Sequence, residues 1–419
     1  MRMRELGHDL EPLEAVRETI LSSVGALPTE TRPLREAFGA VLRQTLVACD
    51  RVPPFDNSAM DGFAVRVADL ASATEETPVR LPIQFELPAG AVASTPLAER
   101  AAIRIMTGAP LPLGVEAVVP HELTAFDRAS VAFSRPVRAG QNVRRAGGDL
   151  EPGDTPLAEG ATLRGPQMAI VAALGYAEVE VTRQPVVGIL SPGDELVEVG
   201  EPCGPGQIRN SNAFGLDGAL RDLGATPLHL GIVRDTQEAV RKAVEDGFAA
   251  GADAIVSTGG ASAGDFDHVK SVVRDHGQPG HVFKVARRPG KPQVFGLFDG
   301  RPLFGLPGNP AAAILSFEIF VRPALRKMRG ERKFIDEEFL VRFPFAFKYK
   351  PGRVFLLRTR VEPDDASRGG FRVAVPGEQD SSFLASLALA NALVLLPPEN
   401  SEVEPDELRP ALWLGGRPW

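Results

Sequence analysis

The sequence predicts a multidomain chain that combines an α/β domain with β-rich parts, on three observations. From Pro185 to about Arg329 apolar strands alternate with amphipathic helices, which is the pattern of a parallel sheet covered on both faces. From Pro53 to about Val137, and again after Arg329, short strands are broken by Pro and Gly. The length of 419 residues exceeds what one hydrophobic core usually fills. The expected divisions are a helical N-terminal part of a linker domain over 1–50, a β-rich domain over 51–149, a return segment of the linker over 150–184, a parallel-sheet α/β domain over 185–330 and a small C-terminal β-domain over 331–419.

Each element has its own signal. Leu13, Val16, Ile20 and Val24 recur at spacings of three and four and predict an amphipathic helix, followed by a short helix over PLREAFGAVL. The alternation in AAIRIMTGAPLPLGVEAVV marks strands of the second domain. GPQMAIVAALG predicts a helix before a further strand. In the α/β part, VVGILS, LHLGIV and DAIVST are strands, each followed by a helix: over Phe214, Leu216, Leu220 and Leu223, over Val240, Val244 and Phe248, and over Val269, Val272 and Val273. GLPGNPAAAILSFEIFVRPAL closes this unit, with Asn309 placed to cap a helix and Pro310 at its first position, where Pro costs least. FLVRFPFAF, RVFLLRTRV, FRVAVP and ALVLLP are the strands of the last domain.

Composition narrows the function. An apolar fraction of 44% and a charged fraction of 24% are those of a soluble globular protein. A net charge of −8 without a basic run excludes a nucleic-acid binder, so a small-molecule partner is expected. No apolar stretch reaches the roughly 20 residues a bilayer span needs, so no membrane partner is expected. The opening MRMRELGHDLEPLEA lacks the apolar core of a signal peptide, and the cytoplasm is the expected compartment. Cys49 and Cys203 are too few for a disulfide framework and read as packing residues.

In an open α/β sheet ligands bind beyond the carboxyl ends of the strands. The loops there carry acids: Asp194 and Glu195 in SPGDEL, Asp235 in RDT, and Asp265 and Asp267 in TGGASAGDFD. Asp235 with Glu238 could instead form a capping box and Asp265 or Asp267 could start the next helix, whereas Glu195 lies past a Pro-Gly turn and is harder to dismiss as a cap. TGG with Ser262 and Gly264 frees backbone amides that suit an anion. Lys284, and Arg288 with Lys291 across the Pro-Gly turn of RRPGKP, add cations beside that turn. Acids and bases in one cleft fit a divalent cation bridging carboxylates to phosphate, and hard oxygen ligands favour Mg²⁺ over Zn²⁺. The histidines, His121, His229 and His268 among them, read as scattered and structural.

Nine motifs in order, PPFDNSAMDGFAV, IRIMTGAPLPLGVEAVV, GQNVRRAGGD, GILSPGDEL, GQIRNSN, GIVRD, STGGASAGDFD, RPGKP and GLPGNP, make the sequence resemble the molybdopterin molybdenumtransferases, the family that includes the C-terminal domain of gephyrin. The resemblance implies an elongated homodimer with a shared active site and a molybdopterin-binding-like α/β domain. It also implies a Mg²⁺-dependent reaction in which adenylylated molybdopterin and molybdate give molybdenum cofactor and AMP. A molybdopterin adenylyltransferase is a further implied partner. By motif, Asp61 would reach the cleft of the other subunit, and Thr107, Asp149, Glu195, Asp235 and Asp267 would join it around the pterin, the pyrophosphate and the cation. Asp61, Glu195, Asp235 and Asp267 are the implied metal ligands, Lys284 and Lys291 would hold phosphate, and Arg358 with Ser381 would lie near the molybdate oxyanion. Four positions depart from the family pattern: Arg288 replaces Lys, Gly148 an acid, Pro192 a Thr and Ala312 a Ser. The competing readings are a non-catalytic pterin carrier or scaffold and a general metal-dependent nucleotide hydrolase.

Overall fold

The expected N-terminal helix forms as α1 (Leu13–Ser22), and its stripe of Leu13, Val16, Ile20 and Leu21 is buried. That stripe joins the core of the α/β domain beside Leu216, Phe320 and Met328, so the N-terminus is tied to the domain that begins 160 residues later in the chain. The structure, a computed structural model, describes residues 10–259, 268–275, 280–364, 370–374 and 378–415.

PLREAFGAVL is not the predicted helix. Only Leu34–Glu36 makes a single 3₁₀ turn, because the backbone beyond it is claimed by non-local partners: Gly39 N donates to Leu163 O at 2.7 Å, Leu42 N to Ala161 O at 2.9 Å and Arg43 N to Glu180 O at 2.8 Å. Gly39 turns the chain at φ +76, a value that favours glycine. The same pairing continues where Thr29–Pro33 lies antiparallel to Glu178–Thr182, with α2 (Gly165–Ala173) just before the second strand.

Between these arms, Gly62 to Phe133 build a six-stranded sheet in the order 117–120, 62–65, 102–105, 79–87, 130–133, 124–126, and Asn57–Ser58 pairs separately with Val143–Arg144. Gly62 sits where a Cβ would stand 2.1 Å from Val119 O, so two backbones touch there. Gly62→Ala is therefore expected to cost at least about 2 kcal/mol, since relief requires a strand to move. A urea midpoint unchanged from wild type would contradict this.

The α/β domain contains β1 (Val186–Pro192), β2 (Thr226–Val233), β3 (Ala254–Thr258), β4 (Gly280–Lys284), β5 (Pro292–Phe298) and β6 (Arg301–Leu306), in the sheet order β2-β1-β3-β6-β5-β4. The helices α3 (Ser211–Asp222), α4 (Gln237–Ala249) and α5 (His268–Asp275) bury Leu216 and Leu220, Val240, Val244 and Phe248, and Val269, Val272 and Val273. Phe214, expected on the apolar stripe of α3, is exposed. The sheet is mixed and not wholly parallel. β5 and β6 form a hairpin whose two central residues, Asp299 and Gly300, have φ of +50 and +76, and Asp-Gly is the pair such a two-residue turn prefers.

The C-terminal strands Val354–Asp364, Gly370–Ala374, Phe339–Arg342, Leu408–Trp413 and Ala392–Leu396 pair in that order, and the last pairs back onto the first, closing a small barrel. Arg287–Arg288 adds to the barrel in parallel with Val354–Phe355, stitching the α/β domain to it. Both cysteines are free and exposed, which corrects their reading as packing residues: Cys49 lies in an exposed turn and Cys203 in the loop before α3. Among the described residues no helix is long and apolar enough to cross a membrane.

Candidate functional site

The carboxyl ends of β2, β1, β3 and β6 form one rim, and the sequence loads it unevenly. After β2 comes Asp235, and after β1 come Asp194 and Glu195, both exposed. Asp235 does not cap α4. Thr236 does, accepting from Ala239 N at 3.3 Å, which frees the Asp235 carboxylate. Its Oδ1 is buried without a hydrogen-bond partner among the described residues, and so is His268 Nε2, 3.9 Å away. Burial raises the Asp235 pKa, His268 opposes the rise, and Glu195 and Asp194 add to it. His268, read from the sequence as structural, thus stands at the acid cluster. Space for the Glu195 carboxylate is left by Gly193, where a Cβ would meet Glu195 Oε2 at 2.8 Å.

Because the folded-state pKa of Asp235 lies above the unfolded value, its ionised form costs stability, and the cost vanishes as pH falls through the folded value. Asp235→Asn is expected to raise the melting midpoint at neutral pH by about 1–2 °C while reducing activity. A lower midpoint in calorimetry would contradict the strain inferred here.

On the other half of the rim, Gly259 follows β3 and Pro307 to Asn309 follow β6, and both segments line a cavity of about 910 Å³ between the sheet and the barrel. Arg288 and Lys291 enter from the Arg-Pro-Gly-Lys turn, and Ser381 from the barrel loop. Arg353 lines the same cavity and was not singled out from the sequence. It lies 65 positions after Arg288, and the parallel pairing of Arg287 with Val354 brings it there. Asn309 does not cap its helix as expected; its Nδ2 donates to Ser381 Oγ at 2.9 Å, tying the two walls. Asn212 Nδ2 holds Gly308 O at 2.8 Å, and Ser191 Oγ donates to Asn210 Oδ1 at 3.1 Å, which gives the GQIRNSN motif a positioning role.

Other candidates lie elsewhere. Lys284, at the end of β4, pairs with Pro292 beside the Lys291 turn but is not in the cavity lining. Arg358 is fully buried behind the 378–381 loop. Asp149 is exposed and its backbone N–H bonds Val52 O at 2.9 Å, next to the start of PPFDNS. Ser262, Asp265 and Asp267 lie outside the described residues.

In the β-rich sheet, Asp61 and Thr107 meet. The Asp61 carboxylate accepts from Thr107 N and from Thr107 Oγ1, each at 2.7 Å, and these bonds, with His121 nearby, hold its pKa below the usual carboxylate range. The remaining polar residues of that motif build its frame. Asp56 accepts from Ala146 N at 2.8 Å and pairs with Arg145 at 2.5 Å, and Ser58 Oγ donates to Met60 O at 2.6 Å. Asp61 thus sits with Thr107 on the β-rich sheet, whereas Asp235 sits with His268 at the α/β rim.

A strand-end rim with carboxylates on one half, and with turn amides and fixed cations on the other, belongs to the α/β proteins that handle phosphorylated or nucleotide-bearing ligands. Comparison with known proteins makes this specific. Residues 11–175 match the MoeA N-terminal region (domain I and II), 188–327 a probable molybdopterin binding domain and 341–408 the MoeA C-terminal region (domain IV). Molybdopterin molybdenumtransferase 2 of Mycobacterium tuberculosis is 38% identical over 390 residues, 89% of this chain and 92% of its own. The molybdopterin molybdenumtransferase of Bacillus subtilis is 38% identical over 378 residues, 88% of this chain and 86% of its own. The crystal structure of the molybdopterin biosynthesis moeA protein from Pyrococcus horikoshii OT3 superposes with a TM-score of 0.79 at 28% identity, covering 96% of this chain and 99% of that one. The chain belongs to the molybdopterin molybdenumtransferase (MoeA) family of molybdenum cofactor biosynthesis.

Proposed function

We propose that this protein is a molybdenum insertase that takes adenylylated molybdopterin and molybdate, places molybdenum on the dithiolene and releases AMP. The observation that carries the reading is the junction cavity, where Arg288, Lys291 and Arg353 converge beside the Pro307–Asn309 turn. Guanidinium and ammonium groups fixed around turn amides suit a tetrahedral oxyanion, and molybdate is such an ion. Ser381, held by Asn309, offers a hydroxyl at the same place.

The acid half of the rim suits the phosphate end of the substrate once a cation is present. Among the described residues no group of three or more His, Cys, Asp or Glu is placed to hold a metal ion. Mg²⁺, however, is commonly held by one or two carboxylates together with substrate phosphates. The unpartnered Asp235 Oδ1 beside Glu195 fits that donor set, with Asp61 and Asp267 as the further proposed ligands. When bound there, Mg²⁺ would neutralise phosphate charge and polarise the phosphorus. Glu195 and Asp235 orient the phosphate end, Lys284 balances its charge, and Arg288, Lys291 and Arg353 fix molybdate within reach of the dithiolene. At the phosphorus of the molybdopterin phosphate a water oxygen forms the new bond and the bridging oxygen leaves with AMP; at molybdenum two Mo–S bonds form while one Mo–O bond breaks, the oxygen leaving as water with the two thiol protons and molybdenum keeping its oxidation state.

Asp61 stands beside the β-rich sheet while Glu195 and Asp235 stand on the α/β rim, and the proposed site is completed by a second copy, with Asp61 and Thr107 of one protomer facing the rim of its partner. The proposed compartment is the cytoplasm, and a molybdopterin adenylyltransferase is the class of enzyme that must supply the substrate. Purified protein given adenylylated molybdopterin, molybdate and Mg²⁺ should release one AMP per cofactor formed. Tight pterin binding without AMP release would favour a carrier, and turnover of ordinary nucleotides a general hydrolase.

A further inference from the structure

Two arginines outside the proposed contacts are buried behind opposite walls of the junction cavity. Arg287 is 0% exposed and has no acidic partner among the described residues. Its Nε donates to Gly290 O at 2.9 Å, Nη1 to Leu315 O at 3.4 Å and Nη2 to Ser316 Oγ, and its guanidinium carbon lies 4.9 Å from the centre of the Phe320 ring. Every one of those partners is neutral. A buried guanidinium ordinarily stands against a carboxylate, as Arg322 does with Glu318 at 2.7 and 2.9 Å in the next turns of this chain. Desolvation pulls Arg287 down to about 9, which leaves it cationic at neutral pH.

Arg358 occupies the matching place on the barrel side. It is also 0% exposed; its Nη2 donates to Asp380 O at 3.0 Å and Glu378 O at 3.4 Å, while Nε and Nη1 have no hydrogen-bond partner among the described residues. Gln379 clasps its main chain, accepting from Arg358 N at 3.0 Å and donating to Arg358 O at 3.1 Å. Each arginine therefore grips the backbone of a segment that lines the cavity: the Arg-Pro-Gly-Lys turn in one case, residues 378–381 in the other. Among the described residues the acids facing the cavity are Glu378 and Asp380, and the latter already accepts from Ser382 N at 2.9 Å and Ser382 Oγ at 2.6 Å.

We infer that Arg287 and Arg358 are positioning residues that place a fixed positive potential behind both walls, so that the cavity selects a doubly charged tetrahedral oxyanion over a singly charged one of the same shape. The inference rests on the cavity being the oxyanion end of the site. Coulomb attraction scales with ligand charge, so removing one cation weakens a dianion by the square of the factor it weakens a monoanion. Neutral packing changes would move both ligands alike.

The test uses the full-length protein with molybdate and perrhenate, tetrahedral probes of charge −2 and −1, in calorimetric binding at fixed ionic strength. Arg287→Met and Arg358→Met are each expected to weaken molybdate about tenfold and perrhenate about threefold. Arg287→Lys and Arg358→Lys, which keep the charge, should restore most of the preference. Equal losses for the two anions, or Lys variants as weak as the Met variants, would overturn the inference. If one Met variant fails to fold by its melting curve, the other carries the comparison. A wild-type protein that binds neither anion contradicts the proposed function itself, whereas normal wild-type binding with unaffected Met variants removes only the role given to the buried arginines.

Discussion

Replacing Asp61 by alanine is expected to leave a folded protein whose AMP release falls by on the order of a hundredfold or more. The carboxylate is exposed, and its partners Thr107 N and Oγ1 remain accessible to water when it is removed, so the stability lost is small. The frame around it is independent: Asp56 bonds Ala146, Ser58 bonds Met60, and Gly62 abuts Val119, none through the Asp61 side chain. Thr107 keeps Asp61 ionised below the usual carboxylate range, a device suited to a group that must stay charged beside an anionic substrate. On the acid side activity should therefore decline first as Asp235, whose pKa is raised, takes up a proton, while Asp61 is still charged. Wild-type turnover by Asp61→Ala with a normal melting curve would remove this residue from the mechanism.

Glu195→Ala is expected to cost a similar factor by a different route. The Glu195 backbone carbonyl accepts from Ile208 N at 2.8 Å and holds the loop, an interaction alanine keeps. The side chain has no hydrogen-bond or ion-pair partner among the described residues, and Gly193 leaves it room. Removing it relieves Asp235 of a like charge, so the variant should melt no lower than wild type even as catalysis falls. The apparent affinity for Mg²⁺, measured by titrating the cation against AMP release and separately by the cation-induced shift in melting temperature, should weaken together with turnover. A loss of turnover with unchanged cation dependence in both measurements would instead make Glu195 a substrate contact.

The α/β alternation was legible because β3 is buried along its whole length and its neighbours nearly so, which leaves a continuous apolar run. The hairpin after Phe298 carries a signal in Asp299-Gly300, the pair a two-residue turn prefers, but the apolar runs on either side of it suit a buried parallel strand equally well. Leu34 to Ala40 has helical composition, and tertiary pairing at Gly39 and Leu42 overrode it. At the site, the acids after β1 and β2 could be found because topology sends strand-end loops to one rim. Arg353 could not, because its place depends on a pairing between two domains that no local pattern encodes. Arg358 was carried over from a resemblance as a contact with the oxyanion, and the structure puts it behind the wall, where burial and not spacing decides its role. His268 is a third case: its nitrogen, unpartnered among the described residues, acquires meaning only beside the similarly unpartnered oxygen of Asp235.

The claim on which the rest depends is that two copies of the chain share each site, Asp61 from one and Glu195 from the other. Mixing inactive Asp61→Ala subunits with inactive Glu195→Ala subunits, after dissociation and reassociation, tests it. If the sites are shared, half of the randomly paired dimers carry one intact site, and AMP release returns to about a quarter of the wild-type rate. A mixture that stays as inactive as either parent, although mixed dimers are present by mass, contradicts it.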